Sequence, residues 1–192
     1  MKLYDLSKEL FGASVFPGDP EPRQEPVLSM ENGAPCNLTR IAMGSHNGTH
    51  MDAPRHFCAD GKPIDQVELE KCAGPCKLAE LHGPVGGEQI AALLADGTKK
   101  LLLRGELELS LEAAQKMTEC GLELLGVEGM TVGPVGNPGP VHRELLSHEV
   151  VILESAVMQG IPEGTYFLVS APLKYGGLDG AQCRPILIDF HA

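Results

Sequence analysis

Ser45-His46-Asn47-Gly48-Thr49-His50-Met51-Asp52-Ala53-Pro54-Arg55-His56-Phe57 sets three histidines and an aspartate among Gly and Pro, where a core segment would carry aliphatics. His46 and His50 have helical spacing, but Asn47-Gly48 between them and Pro54 beyond argue against a helix. The stretch predicts a turn feeding a short strand. On that strand His50 and Asp52 share a face, because side chains alternate with period two, and the Asn-Gly turn folds His46 back beside them. Three donors then converge. Imidazole and carboxylate without thiolate suit Zn²⁺ or a first-row neighbour and leave the ion Lewis-acidic and open to water, so the pattern points to hydrolytic chemistry.

Working outward, Leu38-Thr39-Arg40-Ile41-Ala42-Met43 predicts a strand that delivers the chain to this motif, within an N-terminal third otherwise dominated by Pro/Gly turns. Downstream, Gly87 to Leu94 reads as a short helix and Lys100 to Arg104 as a buried strand. Ser110 is placed to cap a second helix through Met117, which Gly121 ends. Leu122 to Val127 reads as a strand and Gly129 to Pro140 as a loop skirting a site. His142 to His148 suits a helix, and Val150-Val151-Ile152-Leu153-Glu154 a buried strand ending in a carboxylate. A Glu behind four apolar β-formers is costly to bury alone, so Glu154 is expected to be paired or bound to a cation. Tyr166 to Leu173 and Arg184 to Asp189 read as further strands, joined by a Gly-rich turn.

The length of 192 residues, with 43% hydrophobic and 21% charged, suits one domain over residues 1–192. A net charge of −11 with no basic cluster argues against nucleic acid as a partner. No apolar run approaches a membrane span, and the start lacks a signal-peptide core, so a cytoplasmic location without membrane attachment is expected. The six cysteines form no CxxC pair. Cys72 and Cys76 flank Ala73-Gly74-Pro75 and could offer two thiolates, yet a second pair is missing and free thiols are the expected state; Cys58 follows the motif closely enough to line the site. His82 and His191 have no ligand-like neighbours, and Asp60, Asp65 and Asp179 sit in turn contexts where Asp serves backbone hydrogen bonds.

The segment His46 to Phe57 reproduces His-x-Gly-Thr-His-x-Asp-x-Pro-x-His-Phe, and with Pro17-Gly18-Asp19, Gly126-Val127-Glu128, Ala171-Pro172-Leu173-Lys174, Asp179-Gly180 and Arg184-Pro185 the chain resembles the cyclase family of metal-dependent amidohydrolases, which includes bacterial kynurenine formamidase (arylformamidase) and isatin hydrolase. The resemblance implies an α/β fold with a mixed, curved, barrel-like sheet flanked by helices, of the swivelling β/α type, in homodimers or homotetramers. It implies one or two Zn²⁺ ions, with Mn²⁺ the alternative. His46, His50 and Asp52 would hold one ion, and Asp52 would bridge to a second completed by His142 and Glu154; His148 is the rival to His142. His56 resembles the family's general acid/base. Where the formamidases usually place Trp before Pro-Gly-Asp this chain has Phe16, and it contains no Trp. The implied reaction is hydrolysis of a small-molecule amide, an N-formyl arylamine such as N-formylkynurenine, by metal-activated water, with Phe16 and the loop from Met130 to Gly136 shaping the pocket. A cyclic amide, ester or lactone is the alternative substrate class, and a non-catalytic metal- or ligand-binding protein the alternative role.

Overall fold

Apolar runs without alternation mark strands covered on both faces, and these form the middle of the molecule. A computed structural model describes residues 1–190 of the chain, so His191 lies outside the described residues. Its strands are β1 (Lys2–Asp5), β2 (Arg23–Leu28), β3 (Leu38–Ala42), β4 (His50–Asp52), β5 (Ala73–Glu80), β6 (Gly83–Val85), β7 (Lys100–Arg104), β8 (Leu107–Leu109), β9 (Leu124–Val127), β10 (Val151–Glu154), β11 (Gly164–Val169), β12 (Gly180–Gln182) and β13 (Ile186–Asp189). The α-helices are α1 (Leu69–Cys72), α2 (Gly87–Leu94), α3 (Leu111–Glu119) and α4 (Gly139–Ser147).

Nine strands form one curled, mixed sheet in the order β1-β13-β11-β5-β7-β9-β10-β4-β12. Its middle, β5-β7-β9-β10, is parallel, and the successive crossovers carry α2, α3 and α4. Such crossovers take one hand, which stacks the three helices on one face. There Ile90, Met117 and Leu145 meet Leu101, Leu103, Leu125 and Ile152. The other face curls over a second core of Leu78, Leu102, Leu124, Leu153, Met51 and Leu187. Ser110 caps α3 as expected, its hydroxyl accepting from the Ala113 amide at 3.1 Å.

Several elements depart from the sequence expectation. The Tyr166–Leu173 strand begins earlier and ends at Val169; the Ser170 amide makes one last in-register bond, to the Cys72 carbonyl at 2.9 Å, and Pro172 beyond it has no N–H with which to extend the ladder. Cys72 ends α1 and Cys76 lies within β5; both side chains are buried in the apolar core. Burial pushes their thiols up to about 11 and about 12, so neither is a thiolate donor. Strand β3 pairs with β2 in an exposed hairpin apart from the main sheet. Among the described residues no helix is long and apolar enough to cross a membrane.

The turn after β4 is tightly built. Gly61 lies against the backbone of Pro54 and Arg55, where a Cβ would come within 2.5 Å of the Pro54 carbonyl carbon and 2.7 Å of the Arg55 nitrogen. Backbone cannot swing aside as a side-chain tip can, so Gly61→Ala is expected to lose roughly 1–3 kcal/mol. Urea denaturation checks this, and an unchanged midpoint would contradict it.

Candidate metal centre

The register of three strands assembles the site. In the antiparallel pair β4/β10, His50 faces Glu154 and Asp52 faces Ile152, so His50, Asp52 and Glu154 share the sheet face that α2, α3 and α4 cover. Met51 and Leu153 point into the opposite core. Glu154 ends a parallel strand, the end at which open α/β sheets hold ligands. Helix α4 then brings in His142 on its buried side. The next residue after Glu154, Ser155, has φ 58 although it is not glycine. Its amide donates to the Gly129 carbonyl at 2.8 Å, and its carbonyl accepts from the Thr49 hydroxyl at 2.8 Å. These bonds hold a costly backbone conformation beside the cluster.

Each inner imidazole is aimed by its outer nitrogen. Nδ1 of His50 lies 3.0 Å from the Gly48 carbonyl, and Nδ1 of His142 lies 3.0 Å from the Pro138 carbonyl. A carbonyl only accepts, so both Nδ1 atoms carry hydrogen and a neutral ring turns a bare Nε2 inward. Those inward nitrogens meet carboxylates. His50 Nε2 is 3.3 Å from Asp52 Oδ1 and 3.5 Å from Glu154 Oε2, while His142 Nε2 is 3.1 Å from Glu154 Oε1 and 3.6 Å from Asp52 Oδ2. His46 stands between two carboxylates, with Nδ1 2.9 Å from Asp52 Oδ1 and Nε2 2.8 Å from Asp179 Oδ2. The Val132 amide fixes Glu154 by donating to Oε1 at 3.0 Å.

Lone pairs facing carboxylates in a buried site require positive charge between them. Asp52 is fully buried, and its Oδ2 and the Nε2 of His50 make no hydrogen bond. Without an ion, protons must serve. Burial opposes charge on His50, but the carboxylates of Asp52 and Glu154 facing Nε2 at 3.3 and 3.5 Å outweigh it and push the imidazole up to about 10. His46 and His142 shift upward against the same burial penalty, through Asp52 and through Glu154 respectively. Asp52 is held well below the carboxylate range, the His46 hydrogen bond and the nearby His50 ring overcoming its burial. Nitrogen and oxygen donors around a charge-deficient point are what a divalent cation takes, and outer acceptors on ligating histidines are its usual support. The residues present fit a metal ion.

The donor atoms fall into two overlapping groups, His50-Asp52-Glu154 and His46-Asp52-His56, each with all atoms within 4.8 Å of one another. Asp52 belongs to both. His148 is not brought in: its ring is largely exposed at the end of α4, with Nδ1 2.8 Å from the Glu144 carbonyl. His82 is exposed and bonded to Glu80. Asp65 does serve a backbone amide, but that of a distant segment, accepting from Gly177 at 2.8 Å. For Asp179 the turn reading missed a carboxylate inside the site. Nothing local distinguishes Asp179-Gly180 from an ordinary turn, and only the pairing of β12 with β4 carries it to His46.

A cavity of about 190 Å³ opens over the cluster, lined by Phe16, His56, Phe57, Met130, Thr131 and Pro138 among others. Phe16 and the first two residues of the 130–136 loop line this cavity. Cys58 does not, since it packs half-buried against the helical core. Phe57 stacks on His142 with ring centroids 4.6 Å apart. His56 sits 4.0 Å from His46, centroid to centroid, and burial holds it below the ordinary histidine value. A wider cleft of about 880 Å³ runs past Glu80, Arg104 and Glu128, but it contains no member of the cluster and its Arg104 is already bonded to Glu80 and to the Met158 and Ile161 carbonyls.

A family profile described as putative cyclase matches residues 4–134. A kynurenine formamidase from Erythrobacter litoralis is 31% identical over 201 residues, covering 97% of this chain and 93% of that protein. A solved structure described as a potential metal-dependent hydrolase with cyclase activity is 28% identical with a TM-score of 0.82, covering 97% of this chain and 96% of the other. Isatin hydrolase A from Labrenzia aggregata superposes with a TM-score of 0.83 over 97% of this chain and 93% of its own, and at 20% identity that likeness speaks for the fold.

Proposed function

We propose, from the premise that this chain belongs to the cyclase family of metal-dependent hydrolases, that it hydrolyses a small N-formyl arylamine such as N-formylkynurenine to formate and the free amine. One observation carries the reading: inward-facing imidazole nitrogens of His46, His50 and His142 meet the carboxylates of Asp52 and Glu154 under a cavity with an aromatic wall. His46, His50, Asp52, His142 and Glu154 would hold one or two ions, with Asp52 between them. Zn²⁺ is favoured over Mn²⁺ because three of these five residues offer imidazole. A divalent ion bound there acidifies water toward neutral pH and polarises a carbonyl.

The chain's own residues supply position and proton transfer. Phe16 offers a π-face to an aromatic ring, with less area than Trp and no N–H donor. The cavity is smaller than the roughly 300–1,000 Å³ of drug-sized pockets, which suits a substrate with one ring and a short side chain. Met130 and Pro138 complete an apolar wall around a polar floor. Water adding to the formyl carbon must lose a proton, and the amine nitrogen must gain one before the C–N bond breaks. His56 lies at the cavity edge and can carry that proton from one to the other. Burial favours its neutral form, so it is ready to accept at neutral pH.

His56→Ala is expected to lower kcat by about 10²- to 10⁴-fold while metal content holds. In the wild type the acid limb of the rate profile is expected below pH 6.5, since a lowered histidine stays neutral further into acid. A panel of N-formylkynurenine, isatin and simple aryl esters tests the substrate class. Turnover confined to the latter two would sink the formamidase reading and favour the cyclic amide or ester alternative, whereas no turnover with a full metal site would favour a binding protein.

A further inference from the structure

Asp179 enters the site from the edge of the sheet and faces both His46 and His56. It precedes β12, whose Gly180 pairs with Asp52, and its carbonyl accepts from the Ala53 amide at 2.9 Å. That bond ties residue 179 to the turn carrying His56. The carboxylate is itself held, because Oδ1 accepts from the Ser45 hydroxyl at 3.0 Å. Oδ2 then lies 2.8 Å from His46 Nε2 and 3.5 Å from His56 Nδ1. Gly180 closes the other side: a Cβ there would come within 2.8 Å of His46 Cε1 and 2.9 Å of the Met51 carbonyl. The two near-stacked rings are thus fixed by one carboxylate at their edges and by bare backbone behind His46.

We propose that Asp179 is a positioning residue for His56, its Oδ2 accepting the Nδ1 hydrogen so that Nε2 carries the lone pair used in proton transfer. A neutral imidazole has one hydrogen, and the nitrogen that keeps it is set by the acceptor it faces. At 3.5 Å the contact is longer than a formed hydrogen bond. It is of the kind that tightens when a substrate closes the site. The same oxygen faces His46 Nε2, so Asp179 also leaves His46 Nδ1 free toward Asp52, the arrangement in which an outer carboxylate supports a ligating histidine. Its effect on the reaction rests on the proposed hydrolysis, but its effect on the His56 ring does not.

The test therefore reads the ring directly. Nitrogen-15 NMR of the Zn²⁺-loaded wild type at a fixed neutral pH is expected to show His56 protonated on Nδ1, and Asp179→Asn to shift the population toward Nε2. With N-formylkynurenine, Asp179→Asn is expected to lower kcat about 10- to 100-fold with KM within twofold. Because loss of an outer carboxylate weakens metal affinity, kinetics are read at saturating Zn²⁺, where elemental analysis is expected to show wild-type zinc content. Ser45→Ala, which loosens the carboxylate without removing it, moves the ring populations and kcat in the same direction by less. An unchanged His56 nitrogen pattern in Asp179→Asn overturns the proposal, and so does a kcat loss that only tracks zinc loss. If the wild type turns over no amide, the functional reading fails while the NMR comparison still decides the role of Asp179.

Discussion

Asp52→Asn is expected to lose more than nine-tenths of the bound divalent ion and to lower kcat/KM by about 10³-fold or more, equivalent to roughly 4 kcal/mol of transition-state stabilisation. The size follows from position. Asp52 is fully buried, and its oxygens face His46, His50 and His142 at 2.9, 3.3 and 3.6 Å. It alone belongs to both donor groups. The amide has the same shape but lacks the negative charge, and its NH2 would be turned toward one of the imidazole nitrogens. Removing any other donor leaves one group intact, or nearly so; removing this one depletes both. Elemental analysis and steady-state kinetics on the same preparation check it. Full metal occupancy in Asp52→Asn would show that the ion, if bound, is held elsewhere.

The site was legible in the sequence where chemistry is local and illegible where topology supplies it. His46, His50 and Asp52 fall within one turn and strand, so residue type and period-two geometry place them together. Glu154 announces itself as a carboxylate closing an apolar strand. For His142, the family pattern supplied what spacing could not, because only the packing of α4 on β10 decides between it and His148. Asp179 belongs to a motif shared with the family, but its place in the site has no local signal, since an Asp-Gly pair reads as a turn until β12 is seen beside β4. Strand β12 itself, Gly-Ala-Gln, holds no strong β-former and exists because β4 offers an edge. Strand β5 was hidden for a related reason. Ala73, Gly74 and Pro75 open it, and its buried positions are Gly74, Cys76, Leu78 and Ala79, so it lacks the branched or aromatic run that marks Val150 to Glu154. By contrast α2, β7 and the Ser110 cap of α3 follow from propensity and capping alone, and these elements anchor the helical layer over the sheet.

Metal-free protein is expected to lose stability as pH rises from about 6.5 to 10, while metal-loaded protein is not. In the absence of an ion, the proton on His50 is retained up to about pH 10 in the folded state, against about 6.5 in the unfolded chain. A raised folded value means that this contribution is complete below pH 6.5 and is withdrawn as pH climbs through 10. His46 and His142 move in the same direction. His56, shifted the other way by burial, contributes above 6.5 and only partly offsets them. Asp52 sets the opposite limb, because a depressed carboxylate stabilises above its unfolded value of about 3.9 and loses that contribution as acid protonates it. The chelated protein should therefore be most stable between these limbs. For His50 alone the alkaline loss is on the order of a few kcal/mol, enough to lower the melting temperature by about 10 °C in a chain of this size. A bound divalent ion supplies the same positive charge without a titrating proton, so the alkaline limb should flatten when Zn²⁺ is restored. Melting curves at pH 6.5, 8 and 10, with chelator and with added Zn²⁺, make the comparison. Curves that fall in parallel under the two conditions would mean that Zn²⁺ does not replace the proton between His50 and the carboxylates of Asp52 and Glu154.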